Sequence, residues 1–208
     1  MSEKRFRTFE KETFLGVGEY GIPEIMPEDY ELCDWIGFNY AIGEKSPERK
    51  GVHFFLDDYQ FERVWNAPDK YIKLLYKYKY VLSPDFSTYT DYPKAVQIYN
   101  HYRKHWLAAY WQLNGITVIP TISWSDENSF DWCFDGEPVG ATVAVSSVGT
   151  QNGKEKKELF LAGYEEMMKR LRPETILFMG EVPEECGGNI IKMQTFSDRL
   201  KRIIKEVH

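Results

Sequence analysis

The sequence predicts an α/β fold: a mostly parallel sheet of about six to seven strands with flanking helices, TIM-barrel-like or a partial barrel. Three observations predict it. Short apolar runs alternate with longer amphipathic stretches along the chain, the pattern of successive strand-helix units. Most of those runs are continuously apolar, and a strand covered by helices on both faces needs apolar residues on both. No linker rich in Gly, Ser or Pro divides the chain, so its 208 residues form one α/β domain over 1–208, irregular over 1–34 and repetitive over 35–208.

The irregular part includes Pro23 and Pro27, which break residues 21–29 into a loop. The candidate strands then follow at 35–40 (WIGFNY), 52–56 (VHFFL), 80–83 (YVLS), 116–122 (ITVIPTI), 142–146 (TVAVS), 175–179 (TILFM) and 189–193 (NIIKM). Between the second and third lie helical stretches 59–65 and 68–78, with Asn66 placed to cap and Pro68 to start the second. A longer helix is predicted over 93–114. In it Ala95, Ile98, Tyr99, Tyr102, Trp106, Ala109, Tyr110 and Leu113 recur at three- and four-residue steps, and Gly115 stops it. Phe160, Tyr164, Met167, Met168 and Leu171 give 156–171 the same period, with Pro173 after its end. Thr195 followed by Asp198 resembles a capping box for a last helix, 196–207. Seven strands are one short of a complete eight-fold barrel, and closure depends on long-range geometry.

Composition narrows the partners. The chain is 43% hydrophobic and 28% charged, which is ordinary for a globular protein, but 16% aromatic, which is high. Its net charge of −6 and scattered basic residues leave no cationic face to displace counterions from phosphates, so duplex DNA is an unlikely partner. Cys33, Cys133 and Cys186 are odd in number and far apart, which fits neither a disulfide framework nor a thiolate zinc site and points to the reduced cytoplasm. The polar first twelve residues lack the apolar run of an export signal, and no run of eighteen apolar residues predicts a membrane span. Nothing in the sequence indicates the oligomeric state.

In parallel sheets ligands bind beyond the carboxyl ends of the strands, where loops converge. Here those ends carry Asn39, then Asp57 and Asp58, then Ser83 to Ser87 with Asp85, then Ser123 to Glu127 with Trp124, Ser125 and Asp126, then Ser146 and Ser147, and last Gly180 and Glu181. A catalytic ring of Asp57, Asp85, Asp126 and Glu181 would hold a divalent metal, Mg²⁺ or Mn²⁺, or supply an acid and a base. Asn39, Trp124, Ser125, Ser147 and Gly149 would bind substrate beside it, Trp124 as a stacking platform. The alternative is that Asp58, Asp91, Asp126 and Ser129 merely cap the helices that follow.

Three motif candidates lead elsewhere. Residues 146–154 are Gly-rich between a strand and a helix, yet three residues separate Gly149 from Gly153 and Glu155 follows Lys154, so this is not a Walker loop. Gly16-Val17-Gly18-Glu19-Tyr20-Gly21 runs into Ile22-Pro23 rather than a helix, which removes it as a dinucleotide fingerprint. His101 and His105 are one turn apart, but Tyr102 stands where a zincin has Glu, so they read as the solvated edge of the long helix. Two functional classes remain. One is an enzyme hydrolysing a phosphorylated or nucleotide-like small substrate. The other is a non-catalytic accessory protein docking a host or element-encoded partner through Trp111, Tyr89, Tyr92 and Trp132. Single-strand nucleic-acid binding through stacking is a weaker third, opposed by the negative charge.

Several phrases resemble one family: Val52 to Asp58 (VHFFLDD), Ser83-Pro84-Asp85-Phe86-Ser87 with Tyr89 and Asp91, Ala109-Tyr110-Trp111-Gln112, Ile119 to Ser125 (IPTISWS) and Phe134-Asp135-Gly136. Over residues 38–193 the chain resembles the bacterial, plasmid and phage proteins catalogued as domain of unknown function 4417. The resemblance implies a phage, prophage or mobile-element context and transfers no catalytic residue.

Overall fold

The structure is a computed structural model that describes residues 11–150 and 153–193. It opens on an antiparallel hairpin of β1 (Gly16–Val17) and β2 (Ile22–Pro23), so the glycine-rich segment makes a reverse turn, with Gly18 and Gly21 at φ of 71° and 61°. Seven short strands follow: β3 (Asp34–Gly37), β4 (Lys50–His53), β5 (Tyr80–Leu82), β6 (Val118–Ile119), β7 (Thr142–Ser146), β8 (Thr175–Met179) and β9 (Ile190–Lys192). Every pairing among these seven is parallel, and each paired strand lies beside its sequence neighbour.

They form two sheets, β3-β4-β5-β6 and β7-β8-β9, rather than one continuous sheet, and no closed barrel. The break falls in the run 116–122, and its cause is Pro120, which has no N–H to give the ladder. Beyond Ile119 the pairing with β5 passes to side chains: the Thr121 N–H donates to Ser83 Oγ and the Thr121 hydroxyl to the Ser83 carbonyl, both at 2.8 Å. The sheets meet at one parallel bridge, Thr121 with Ala144, where Ala144 N–H donates to Pro120 O and Ile122 N–H to Ala144 O.

Both faces are covered, as the continuous apolar runs require. Ile36, Val52, Val81 and Val118 enter a large core with Val64, Leu75, Leu107 and Trp111 from the helices. Val143, Val145, Ile176 and Phe178 pack on Phe160, Tyr164, Met167 and Leu171. The alternate residues Trp35, Tyr80, Leu82, Ile119, Ala144, Leu177 and Met179 form a third core that draws on both sheets. Gly51 makes room for Trp35, because a Cβ there would sit 2.3 Å from the indole.

The helices are α1 (Glu62–Asn66), α2 (Pro68–Leu75), α3 (Lys94–Leu113) and α4 (Lys154–Leu171). Pro68 starts α2, but Asn66 does not cap it; Asn66 ends α1 and Ala67 stands at the boundary without a side-chain bond. Gly115 at φ 76° terminates α3, and Arg172, left-handed at φ 46°, terminates α4. The helix expected over 196–207 lies outside the described residues. Among the described residues no helix is long and apolar enough to cross a membrane.

Candidate functional site

The site is organised by α3, which turns a polar stripe inward. Gln97, Asn100, His101, Lys104 and His105, spaced three or four apart, are all buried, whereas Ala95, Tyr99 and Leu113 of the apolar stripe are exposed. The expectation that His101 and His105 form a solvated edge is therefore corrected: they are 2% and 0% exposed. The physical reason is that the stripe serves backbone carbonyls of packed loops, which water would otherwise have to satisfy. Gln97 Nε2 donates to Tyr89 O and Tyr92 O, and Asn100 Nδ2 to Ser87 O at 2.6 Å. Lys104 Nζ donates to Thr121 O at 2.8 Å.

These bonds fix the loop after β5, and Asp58 fixes it from the other side by accepting from the Ser87 N–H at 3.1 Å and the Ser87 hydroxyl at 2.8 Å. Arg103 closes the arrangement, stacked 3.7 Å over Phe86 and bonded to Glu62 at 2.6 Å. Asp85 sits inside this clamp, half-buried. Burial pushes its carboxyl up to about 7, Lys104 opposing the shift and Asp58 adding to it. Among the described residues no donor lies within hydrogen-bonding distance of the Asp85 carboxylate, and it forms no ion pair.

The other rim acids are held differently. Asp57 is exposed and reaches only Gln60, at 3.5 Å. Asp126 accepts from the Asn128 N–H at 3.0 Å and so caps the short turn Glu127–Ser129. Glu181 is exposed and pairs with Lys192 at 3.3 Å. No two of the four share a hydrogen bond. Of the binding candidates, Ser147 Oγ donates to the Glu181 carbonyl at 2.6 Å, joining the ends of β7 and β8, while Gly149 turns the loop beyond at φ 81°. Ser125 is buried with its hydroxyl unpartnered. Trp124 packs on α4, where Gly163 makes room for its indole, and against Phe160.

Asn39 brings in a residue that the sequence reading missed. Asn39 Oδ1 and the His53 ring flank the bare Cα of Gly37, 2.5 Å and 3.6 Å from where a Cβ would stand. His53 ends β4, is buried with Nδ1 unpartnered, and is depressed by that burial to about 4. A histidine inside a continuous apolar run was the available signal.

Two further groups flank this region. Glu137 is buried, and its Oε1 accepts from Lys104 at 2.7 Å and faces His105 Nε2 at 2.9 Å. A cavity of about 370 Å³ lies between the edge strands β3 and β9, lined by Tyr30, Cys33, Trp35, Arg49 and Met193 among others. The aromatic contact surface needs correction too. Trp111 and Trp132 are 0% and 1% exposed, so only Tyr89, at 60%, and half-buried Tyr92 remain available.

Comparison with known proteins places the chain. The family model described as "Domain of unknown function (DUF4417)" matches residues 14–197. The Gene 1 protein of Mycobacterium phage L5 is 40% identical over 196 residues, covering 91% of this chain and 85% of the phage protein. The Gene 1 protein of Mycobacterium phage D29 is 40% identical over 199 residues, covering 93% and 74%. No solved structure matches. The chain belongs to the DUF4417 family, with phage proteins among its relatives.

Proposed function

We propose that the chain is an enzyme that uses strand-end carboxylates, with Asp85 as general acid or base, to hydrolyse a phosphorylated or nucleotide-like small substrate. The observation that carries this reading is the state of Asp85. Its neighbours in the clamp spend their hydrogen bonds on one another, whereas Asp85 is recessed beside Lys104 and Asp58 with its own bonding capacity unused. Carboxyls raised in this way by burial cluster where protons are moved. A group that titrates near neutrality can both take and give a proton at working pH.

In the metal-assisted version of this reading Asp85 and Asp126 serve as ligand or general base and Asp57 and Glu181 as supporting carboxylates, with Mg²⁺ or Mn²⁺ polarising the scissile group. This version is tested by the melting temperature of the chain with and without Mg²⁺ or Mn²⁺. The expected result is a metal-induced rise in the native chain that is lost in Asp85→Asn and Asp126→Asn; no rise in the native chain removes the metal.

A second reading, an accessory protein that docks a host or element-encoded partner, is favoured by one observation. Tyr40, Ile42, Tyr59 and Tyr89, which follow β3, β4 and β5, are exposed by 60–79%. Capture of a partner that depends on Tyr40, Tyr59 and Tyr89 but tolerates Asp85→Asn would support docking over catalysis.

A further inference from the structure

The structure assigns a site for a divalent transition metal, best suited to Zn²⁺, to His101, His105 and Glu137. One donor atom from each lies within 4.8 Å of the others, and all three residues are buried. This arrangement is independent of the strand-end reading and differs from it in chemistry. Two imidazoles and a carboxylate make a borderline donor set that suits Zn²⁺ and Co²⁺, whereas Mg²⁺ and Mn²⁺ favour oxygen.

The hydrogen bonds assign the protons. His101 Nε2 lies 3.1 Å from the Asp135 carbonyl and His105 Nδ1 lies 2.8 Å from the Pro23 carbonyl. A carbonyl only accepts, so each of those nitrogens carries a proton, and His101 Nδ1 is left as a lone pair. Metal-binding histidines are oriented in this way, by donating the far N–H to a carbonyl or carboxylate.

A second observation points to a ligand at this place. His105 Nε2 stands 2.9 Å from Glu137 Oε1, so the second imidazole already faces the carboxylate. Glu137 Oε2 is buried and has no hydrogen-bond partner at all. Of the two Glu137 oxygens Lys104 bonds Oε1 and leaves Oε2 alone. A dication held by Glu137 and the two imidazoles would give that oxygen a partner, with His105 Nε2 releasing any proton it carries. It would also tie α3 to the segment around Glu137.

The test uses the full chain, stripped with a chelator and titrated with Zn²⁺ or Co²⁺ alone. The expected result is about one equivalent bound, a raised melting temperature, and visible Co²⁺ bands without a thiolate charge-transfer band. Uptake should fall in His101→Gln and Glu137→Gln. Should those variants fail to fold, X-ray absorption on the native zinc-loaded chain decides between two imidazole ligands and none. Uptake below about a tenth of an equivalent overturns the site. So do sulfur ligation, undiminished uptake in folded variants, and nitrogen NMR showing both His105 nitrogens protonated in the chain after metal is added, since a proton then fills the position.

Discussion

Replacing Asp85 by Asn removes the charge while keeping the shape, and the structure sets the sign and size of the result. Burial raises the folded-state value of this carboxyl from 3.8 to about 7, with Lys104 opposing and Asp58 reinforcing. The native state therefore binds the proton more tightly than the unfolded chain does. The contribution of Asp85 to stability is fully present below about pH 4, is lost between about pH 4 and 7, and is constant above that. At roughly 1.4 kcal/mol per pH unit the whole shift corresponds to about 4 kcal/mol, and solvent contact of a half-buried group reduces this to about 2–3 kcal/mol. Asp85→Asn should thus match the native chain near pH 4 and exceed its stability by about 2–3 kcal/mol at pH 8, or roughly 4–12 °C in Tm for a chain of this size. Urea unfolding with a chelator present, at half-unit steps from pH 4 to 8, measures the difference. An Asp85→Asn chain that is less stable at pH 8, or whose stability follows pH as the native chain's does, would refute the recessed, unpaired state of this carboxyl.

Two other substitutions test the packing that positions the site. Gly163→Ala, mid-helix in α4, should destabilise by about 1–3 kcal/mol despite its better helix propensity, because its Cβ would meet Trp124 Nε1 at 2.2 Å; urea unfolding gives the sign, and tryptophan emission reports the displaced indole. Arg172→Gly should stabilise by about 1 kcal/mol, since Arg172 holds a left-handed φ of 46° at the end of α4; a lower Tm would mean that the arginine side chain contributes more than the backbone strain costs.

The parallel strand arrangement was legible because it depends on local pattern. The runs 142–146 and 175–179 are strands over those same residues, and β4 and β5 overlap their runs. Where a run was overestimated, a backbone detail intervened. Pro120 cuts β6 to two residues, and after Gly37 the chain turns into the 3₁₀ segment Phe38–Gly43. The rotation of α3 was not legible. A polar stripe at helical spacing ordinarily faces water, and nothing in the local sequence shows that Asn100, His101, Lys104 and His105 meet carbonyls 13 to 82 positions away. For the same reason the histidine pair was visible as a spacing while its third member, Glu137, was not. Among the acids, type and place could be read off strand ends. Which of them becomes a cap, as Asp126 does, or a clamp, as Asp58 does, depends on where Asn128 and Ser87 come to lie.

The most direct test of the account is turnover by the purified chain. Phosphate mono- and diesters and nucleoside mono-, di- and triphosphates would be supplied with Mg²⁺ or Mn²⁺, and the native chain compared with Asp85→Asn. The account predicts hydrolysis of at least one of these classes, with a rate governed by a group titrating near pH 7 and lost in the Asn variant. No hydrolysis of any, or hydrolysis unchanged in a folded Asp85→Asn chain, would contradict it.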